Sequence, residues 1–498
     1  MNDRHKLSRA TTGMQGLDSV LGGGLPRERL YMVEGISGTG KTTLGLQFCL
    51  QGVQEGERAV YISLSESEEE LRQVIESHGW SSEGLVILSY SDCAEDVAPG
   101  QEYTLFHPSE VELGQTTHWV LEAVDKYRPQ RLVLDTLSGL RLMADDPLRY
   151  RRQIQSLRTY LTARGCTVLI IDETEEDRSL LFQPRSLAHG VFCLEAAASD
   201  YGPIRRRLLV RKVRGISYSS GYHDCRLNTG GLEVYPRLVA SAHSPMQRDP
   251  ALVFSGIAGI DRMLDQGLHR GGSTLIMGAA GTGKSTISLH YCIAAAERGE
   301  RSVYFVFDER LDTVIARAEG LGMNLQPHID SGLLRIHQMN PAEVSPGEFA
   351  HGLRTLAAET DLRLVVIDSL SGYLYSMPQE RNLHLHLHEL LSFLGSQGIS
   401  VFMTLVQHGL VGEQVQTPAE LSFLADTVIL LRYFEAKGEV RKAVSVLKKR
   451  AGSHETTIRE VVMGRNGIHV GEPLRDFQGV LTGVPTFVGD ARLPIARE

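Results

Sequence analysis

Two octapeptides carry the strongest chemical signal in the chain. Gly35-Ile36-Ser37-Gly38-Thr39-Gly40-Lys41-Thr42 and Gly278-Ala279-Ala280-Gly281-Thr282-Gly283-Lys284-Ser285 both satisfy GxxxxGK[ST] at every fixed position. Glycines at this spacing let successive backbone N–H groups turn inward as an anion nest, and a following helix adds its positive N-terminal end. Lys41 and Lys284 would then reach the β- and γ-phosphates of a nucleotide, and Thr42 and Ser285 would each offer a hydroxyl to Mg²⁺. Thr43 and Thr286 open the helices that follow, LGLQFCLQG and ISLHYCIAAA.

A second pair of residues sits downstream at matching distances. Asp135 closes the apolar run RLVLD and Asp368 closes LVVID. A carboxylate ending a buried strand can hold the magnesium shell of a phosphate site, although such an Asp can also simply cap a turn. Carboxylates end another strand as well, Glu66 in LSES and Asp308-Glu309 in FDER. Placed beyond strand ends, they could take a proton from an attacking water. For Glu66 the competing reading is a helix start, since Glu68, Glu69 and Glu70 follow. Near the end of each half lies a basic cluster, Lys212 and Arg214 in RKVRG, and Lys448 and Arg450 in KKRAG. These cations either reach a neighbouring subunit's phosphates or guard a solvated edge strand. His384, His386 and His388 alternate in NLHLHLHELL without a third ligand at motif spacing, so they do not make a metal site.

These groups need a scaffold, and an internal repeat supplies it twice. Thr12–Glu66 and Ser255–Glu309 align without a gap, sharing a GxxGxD opening, the glycine loop and a GER-x-VY segment. In each half, apolar β-rich runs alternate with helical stretches: LYMVEG, AVYISL, RLVLD, CTVLII and VFCLE, then TLIMG, SVYFVF, LVVID, SVFMTL and TVILL. Continuous apolar runs suit strands buried on both faces of a parallel sheet with helical crossovers. The expected fold is α/β, with two tandem P-loop domains at 1–236 and 255–498 and a linker at 237–254 bounded by prolines 236 and 250.

Composition sets the limits. The 498 residues are 42% hydrophobic and 22% charged, which excludes a disordered chain or a disulfide-stapled mini-protein. A net charge of −9 argues against a broad nucleic-acid partner. Six scattered cysteines without CxxC, no apolar leader and no span-length apolar run point to a soluble cytoplasmic protein with reduced thiols.

The tandem glycine loops, the GxxGLD opening, LVVIDSLS, the K-x-R clusters and the tail FQGVLTGVPT together resemble the KaiC family of RecA-like circadian-clock ATPases. The resemblance implies two RecA-like lobes per subunit, stacked as two rings in an ATP-dependent homohexamer. It also implies slow ATP hydrolysis and Ser/Thr autophosphorylation in the second lobe, with a signalling protein as partner. By that resemblance Lys212/Arg214 and Lys448/Arg450 contact a neighbour's nucleotide. The family's Glu-Glu pair, whose first member is the base, is Ser65-Glu66 in the first half and Asp308-Glu309 in the second. Its Ser-Thr phosphoacceptor pair becomes Ser422-Phe423, so only Ser422 can accept phosphate. Two other classes use the same motifs, a RecA/RadA-like DNA-dependent ATPase and an ATP-gated scaffold with little turnover.

Overall fold

Runs such as LYMVEG and TLIMG are mostly apolar because both sheet faces are covered, and every residue of each is buried, Glu34 included, paired with Arg185. The computed structural model describes residues 8–90, 108–138, 147–173, 184–198, 202–246, 249–340, 342–375, 382–407, 422–465, 467–482 and 486–487. The chain divides into two compact units, Met1–Arg237 and Leu238–Glu498.

The first unit is built on strands β1 (Leu30–Gly35), β2 (Ala59–Ser63), β3 (Leu85–Ser89), β4 (Arg131–Asp135), β5 (Thr167–Glu173), β6 (Gly190–Ala197), β7 (Arg205–Val213), β8 (Tyr222–Asn228) and β9 (Gly231–Tyr235). They form one sheet in the order β3-β2-β4-β5-β1-β6-β7-β8-β9. The first six strands in that order run parallel and the last three antiparallel. Helices α1 (Lys41–Gln54), α2 (Glu68–Ser77), α3 (Pro108–Tyr127) and α4 (Pro147–Ala163) make the crossovers. Separate apolar clusters form, one including Leu46, Tyr61 and Ile171 and another including Ile62, Leu134 and Ile154.

The second unit repeats the plan with β10 (Ser273–Gly278), β11 (Arg301–Val306), β12 (Leu334–Gln338), β13 (Leu362–Asp368), β14 (Ser400–Val406), β15 (Thr427–Ala436), β16 (Glu439–Lys449), β17 (Arg459–Gly464) and β18 (Gly467–Pro473). Their order is β12-β11-β13-β14-β10-β15-β16-β17-β18, matching the first sheet position by position. The corresponding helices are α5 (Lys284–Glu297), α6 (Leu311–Gly320), α7 (Pro346–Glu359) and α8 (Leu383–Ser396). Two parallel-rich nine-stranded sheets with flanking helices are the tandem RecA-like α/β domains expected from the repeat.

Of the residues read as a linker, Arg237 belongs to the first unit, while residues from Leu238 onward pack in the second. Leu238 joins its core, the Ala240 N–H donates to Glu389 on α8, and the Met246 N–H donates to the Ser396 carbonyl. Both tryptophans pack as expected from their type, Trp80 stacked on His78 and Trp119 edge-on to Tyr90. Cys49, Cys166, Cys193, Cys225 and Cys292 are buried free thiols, and Cys93 lies outside the described residues. Among the described residues no helix is long and apolar enough to cross a membrane.

The two halves differ in how they secure the start of the fourth strand. Arg131 is fully buried, its Nε 2.7 Å from Glu57 and its Nη2 2.6 Å from Glu55. Its Nη1 donates to the carbonyls of Thr11 and Phe48. The first half also pairs Glu57 with Arg27; the second half keeps that pair as Arg270 with Glu300, adds Arg298 to it, and places Leu364 at the register position of Arg131. Arg131→Leu leaves Glu57 paired with Arg27 and Glu55 partly exposed, so the loss is that of hydrogen bonds to the Thr11 and Phe48 carbonyls and to Glu55, about 1–3 kcal/mol. It is expected as a fall in the denaturation midpoint of the first half with the second half unchanged.

Candidate functional site

Each glycine loop leaves the carboxyl end of the central strand of its sheet, where ligands of parallel α/β sheets sit. The first glycine is required by close approach. A Cβ at Gly35 would stand 2.5 Å from the Leu194 carbonyl oxygen, and one at Gly278 would stand 2.4 Å from that of Leu431. The last glycine caps the helix in a left-handed conformation, φ 99° at Gly40 and 106° at Gly283, which only glycine adopts without strain. Between them, Thr39 and Thr282 are fully buried and their hydroxyls donate to the Ile36 and Ala279 carbonyls, both at 2.9 Å. Ser37, Gly38, Ala280 and Gly281 form the loop turns, and the Ala280 carbonyl accepts from the Tyr433 hydroxyl at 3.2 Å. Thr43 and Thr286 are buried one position beyond Thr42 and Ser285 in the first helical turn.

The lysines fold over their own loops. Lys41 Nζ donates to the Ile36 carbonyl at 2.8 Å, and Lys284 Nζ to those of Gly278 and Ala279 at 2.9 and 2.8 Å. Burial lowers the pKa of both. Nearby Glu173, Asp135 and Asp172 oppose this for Lys41, whereas Lys284, more deeply buried and opposed by Asp368 among the described residues, falls to about 8. A buried cation short of counter-charge is a strong attractor for a polyphosphate.

Asp135 and Asp368 end their strands beside these loops, both nearly fully buried. Asp135 Oδ2 accepts from the Thr42 hydroxyl at 3.0 Å and the Tyr61 hydroxyl at 2.5 Å. Asp368 accepts from the hydroxyls of Tyr304 and Thr404. A hydroxyl and a carboxylate converging on one point form the hard oxygen set that Mg²⁺ takes, so the residues fit that ion. Thr42 with Asp135, and Ser285 with Asp368, are the residues that would hold it. Sequence reading missed both tyrosines as site residues, although their recurrence in the two GER-x-VY segments was a signal. It also missed Asp172 and Glu173, which end β5 beside Lys41 and have no acidic counterparts at Leu405 and Val406.

The strand-end carboxylates are held differently in the two halves. Ser67 N-caps α2 through a reciprocal box with Glu70, so the acidic run is a helix start, but Glu66 precedes that cap. One Glu66 carboxylate oxygen is buried without a hydrogen-bond partner among the described residues. Burial raises the Glu66 pKa, and the nearby charges of Asp135 and Glu70 add to it. In the second half, Asp308 is exposed and accepts from the Ser369 hydroxyl, whereas Glu309 forms an ion pair with Arg317.

β7 pairs with β6 and β8, and β16 with β15 and β17, but the β8 pairing ends at Leu209 and the β17 pairing at Val444. Among the described residues Lys212 and Lys448 are therefore paired in register only on the β6 and β15 side, and the strand is locally an edge there. Lys212 Nζ donates to the Arg185 carbonyl, and Arg214 Nη2 to that of Ser186 at 3.1 Å. Lys448 Nζ donates to the Ser422 and Ala425 carbonyls at 3.0 and 2.7 Å, and Arg450 donates to Phe423 and Asp426. Each pair thus pins the segment entering the strand beside the central one. Lys448 lies opposite Val428 and Lys212 opposite Val191, at the amino ends of β15 and β6. The glycine loops leave the carboxyl ends of the neighbouring parallel strands. Four residue steps of strand, Thr427 to Leu431, already separate the two ends by about 13 Å. Lys212, Arg214, Lys448, Arg450 and Ser422 therefore stand at the opposite end of the sheet from their own loop. His384 and His388 are exposed on α8, and no group of three potential metal ligands occurs among the described residues.

Comparison with known proteins agrees with this geometry. A family model described as "ATPase: KaiC" matches residues 10–239 and again 253–475. The chain is 27% identical over 496 residues to circadian clock protein KaiC3 of Synechocystis sp., covering 98% of this chain and 96% of the relative. It is 29% identical over 494 residues to KaiC2 of the same organism, covering 96% and 84%. Circadian clock oscillator protein KaiC of Synechococcus elongatus is 25% identical over 494 residues, covering 97% and 93%. With both units matched, and with both carrying the phosphate loop and strand-end Asp at equivalent positions, the chain belongs to the KaiC family of ATPases.

Proposed function

We propose that this KaiC-family ATPase is a clock-type signalling protein that works as a double-ring homohexamer in the cytoplasm, hydrolysing Mg-ATP clamped between subunits and transferring phosphate to Ser422 of a neighbour. The observation that carries the reading is the placement of Lys212, Arg214, Lys448 and Arg450 at the sheet end opposite their own loops. Cations there serve a nucleotide only if it belongs to another copy of the chain. Names given to its relatives, circadian clock proteins, favour signalling over a DNA motor.

In hydrolysis the loop N–H groups and Lys41 or Lys284 take up phosphate charge, and fixed donors of this kind act most strongly where water is excluded. Magnesium, when bound, supplies charge neutralisation at the phosphate oxygens. Glu66 in the first half and Asp308 or Glu309 in the second are the carboxylates available to accept the water proton.

Ligand that binds only the assembled state shifts the equilibrium toward it. Lys212→Ala with Arg214→Ala should therefore weaken ATP-dependent assembly, measured by light scattering with and without ATP. A ring of unchanged stability and nucleotide affinity would refute the trans assignment. Turnover strongly stimulated by DNA would favour a recombinase-type motor instead.

A further inference from the structure

The two halves align residue for residue across the second strand and the helix after it, with Tyr61 matching Tyr304, Ser65 matching Asp308, Glu66 matching Glu309 and Val74 matching Arg317, and the helices share the same bounds at that offset. The last of these is a large chemical mismatch close to the site. Arg317 Nη1 pairs with Glu309, while its Nε and Nη2 are buried without hydrogen-bond partners among the described residues. Val74, at the same place on α2, offers no charge and packs against the apolar cluster below it. Glu66 keeps one carboxylate oxygen buried and without a hydrogen-bond partner among the described residues.

A carboxylate locked to a guanidinium is a poor base, because the opposite charge favours its ionised form. We propose that Arg317 assigns the base in the second half: by holding Glu309 it withdraws that carboxylate and leaves Asp308, oriented by Ser369, to act, whereas Val74 leaves Glu66 to act in the first half. This rests on the reading of both halves as hydrolytic sites. In the step itself the water oxygen bonds to the γ-phosphorus and the bond from that phosphorus to the bridging oxygen breaks. ADP leaves with the electron pair, and the water proton passes to the selected carboxylate. Arg317 touches none of the reacting atoms and is a positioning residue.

The test uses the full chain carrying Glu66→Gln, so that turnover reports the second half. Adding Asp308→Asn should lower kcat about a hundredfold, the usual worth of a general base, with nucleotide affinity unchanged. Adding Arg317→Val, which installs the residue the first half already tolerates, should free Glu309 and recover at least tenfold. Glu309→Gln on top should abolish the recovery, and Arg317→Lys in place of Arg317→Val should give none, because the ammonium keeps the pair. In the mirror experiment, Val74→Arg in an Asp308→Asn chain should lower first-half kcat without raising KM. Full turnover in the Glu66→Gln, Asp308→Asn chain, or none in Glu66→Gln alone, would overturn the hydrolytic assignment and this inference with it. Asp308-dependent turnover that Arg317→Val fails to recover would overturn the inference alone.

Discussion

Lys284→Ala is expected to remove at least about a hundredfold of turnover from the second half, and Lys41→Ala as much from the first, the usual loss when a preorganised donor to a developing anion is deleted. The losses in total rate should nevertheless be unequal. Lys284 is the more deeply buried ammonium and bonds two loop carbonyls, whereas Lys41 bonds one and is surrounded by Asp135, Asp172 and Glu173. That extra negative charge at the end of β5 repels a triphosphate as it attracts the lysine. The bases differ too, with a half-buried Glu66 in the first half against an exposed Asp308 in the second. Residual phosphate release by each single variant, and none by the double variant, is the measurement. Equal residual rates would show that these differences do not matter to the chemistry.

What could be read without the structure was whatever depends on local spacing. The glycine loops, Asp135, Asp368 and the duplication follow from short-range pattern, because a phosphate nest is made by consecutive backbone groups. Five strands per half were legible as continuous apolar runs. The antiparallel strands β7–β9 and β16–β18 were not, because they leave one face to water and carry half as many apolar residues. The tyrosines on Asp135 and Asp368 were visible as repeated letters, but their role depends on β2 lying beside β4 and β11 beside β13, a tertiary fact. Likewise Arg317 reads as an ordinary helix cation until α6 brings it onto Glu309. Of the quoted tail, residues 483–485 lie outside the described residues.

Incubation with Mg-ATP is expected to place a single phosphate on Ser422. Its carbonyl accepts from Lys448, and the carbonyl of Phe423 accepts from Arg450. Phosphorylation adds about −1.5 to −2 charges, and two cations already gathered at this segment lower the cost of that charge. Phe423 cannot accept phosphate, so no second modification should follow at the neighbouring position. The chain's own Lys284 cannot deliver the group, because Ser422 precedes the amino end of β15 and the loop follows the carboxyl end of β10. Transfer must therefore run between subunits, which a mixing experiment resolves. Lys284→Ala subunits, silent alone, should become phosphorylated on Ser422 when mixed with Ser422→Ala subunits that keep an intact loop. Phosphate appearing on Lys284→Ala subunits alone would show that another site supplies it. No phosphate in wild-type protein while ATP is consumed would leave both halves as ATPases only, with Lys448 and Arg450 serving the nucleotide and not the acceptor.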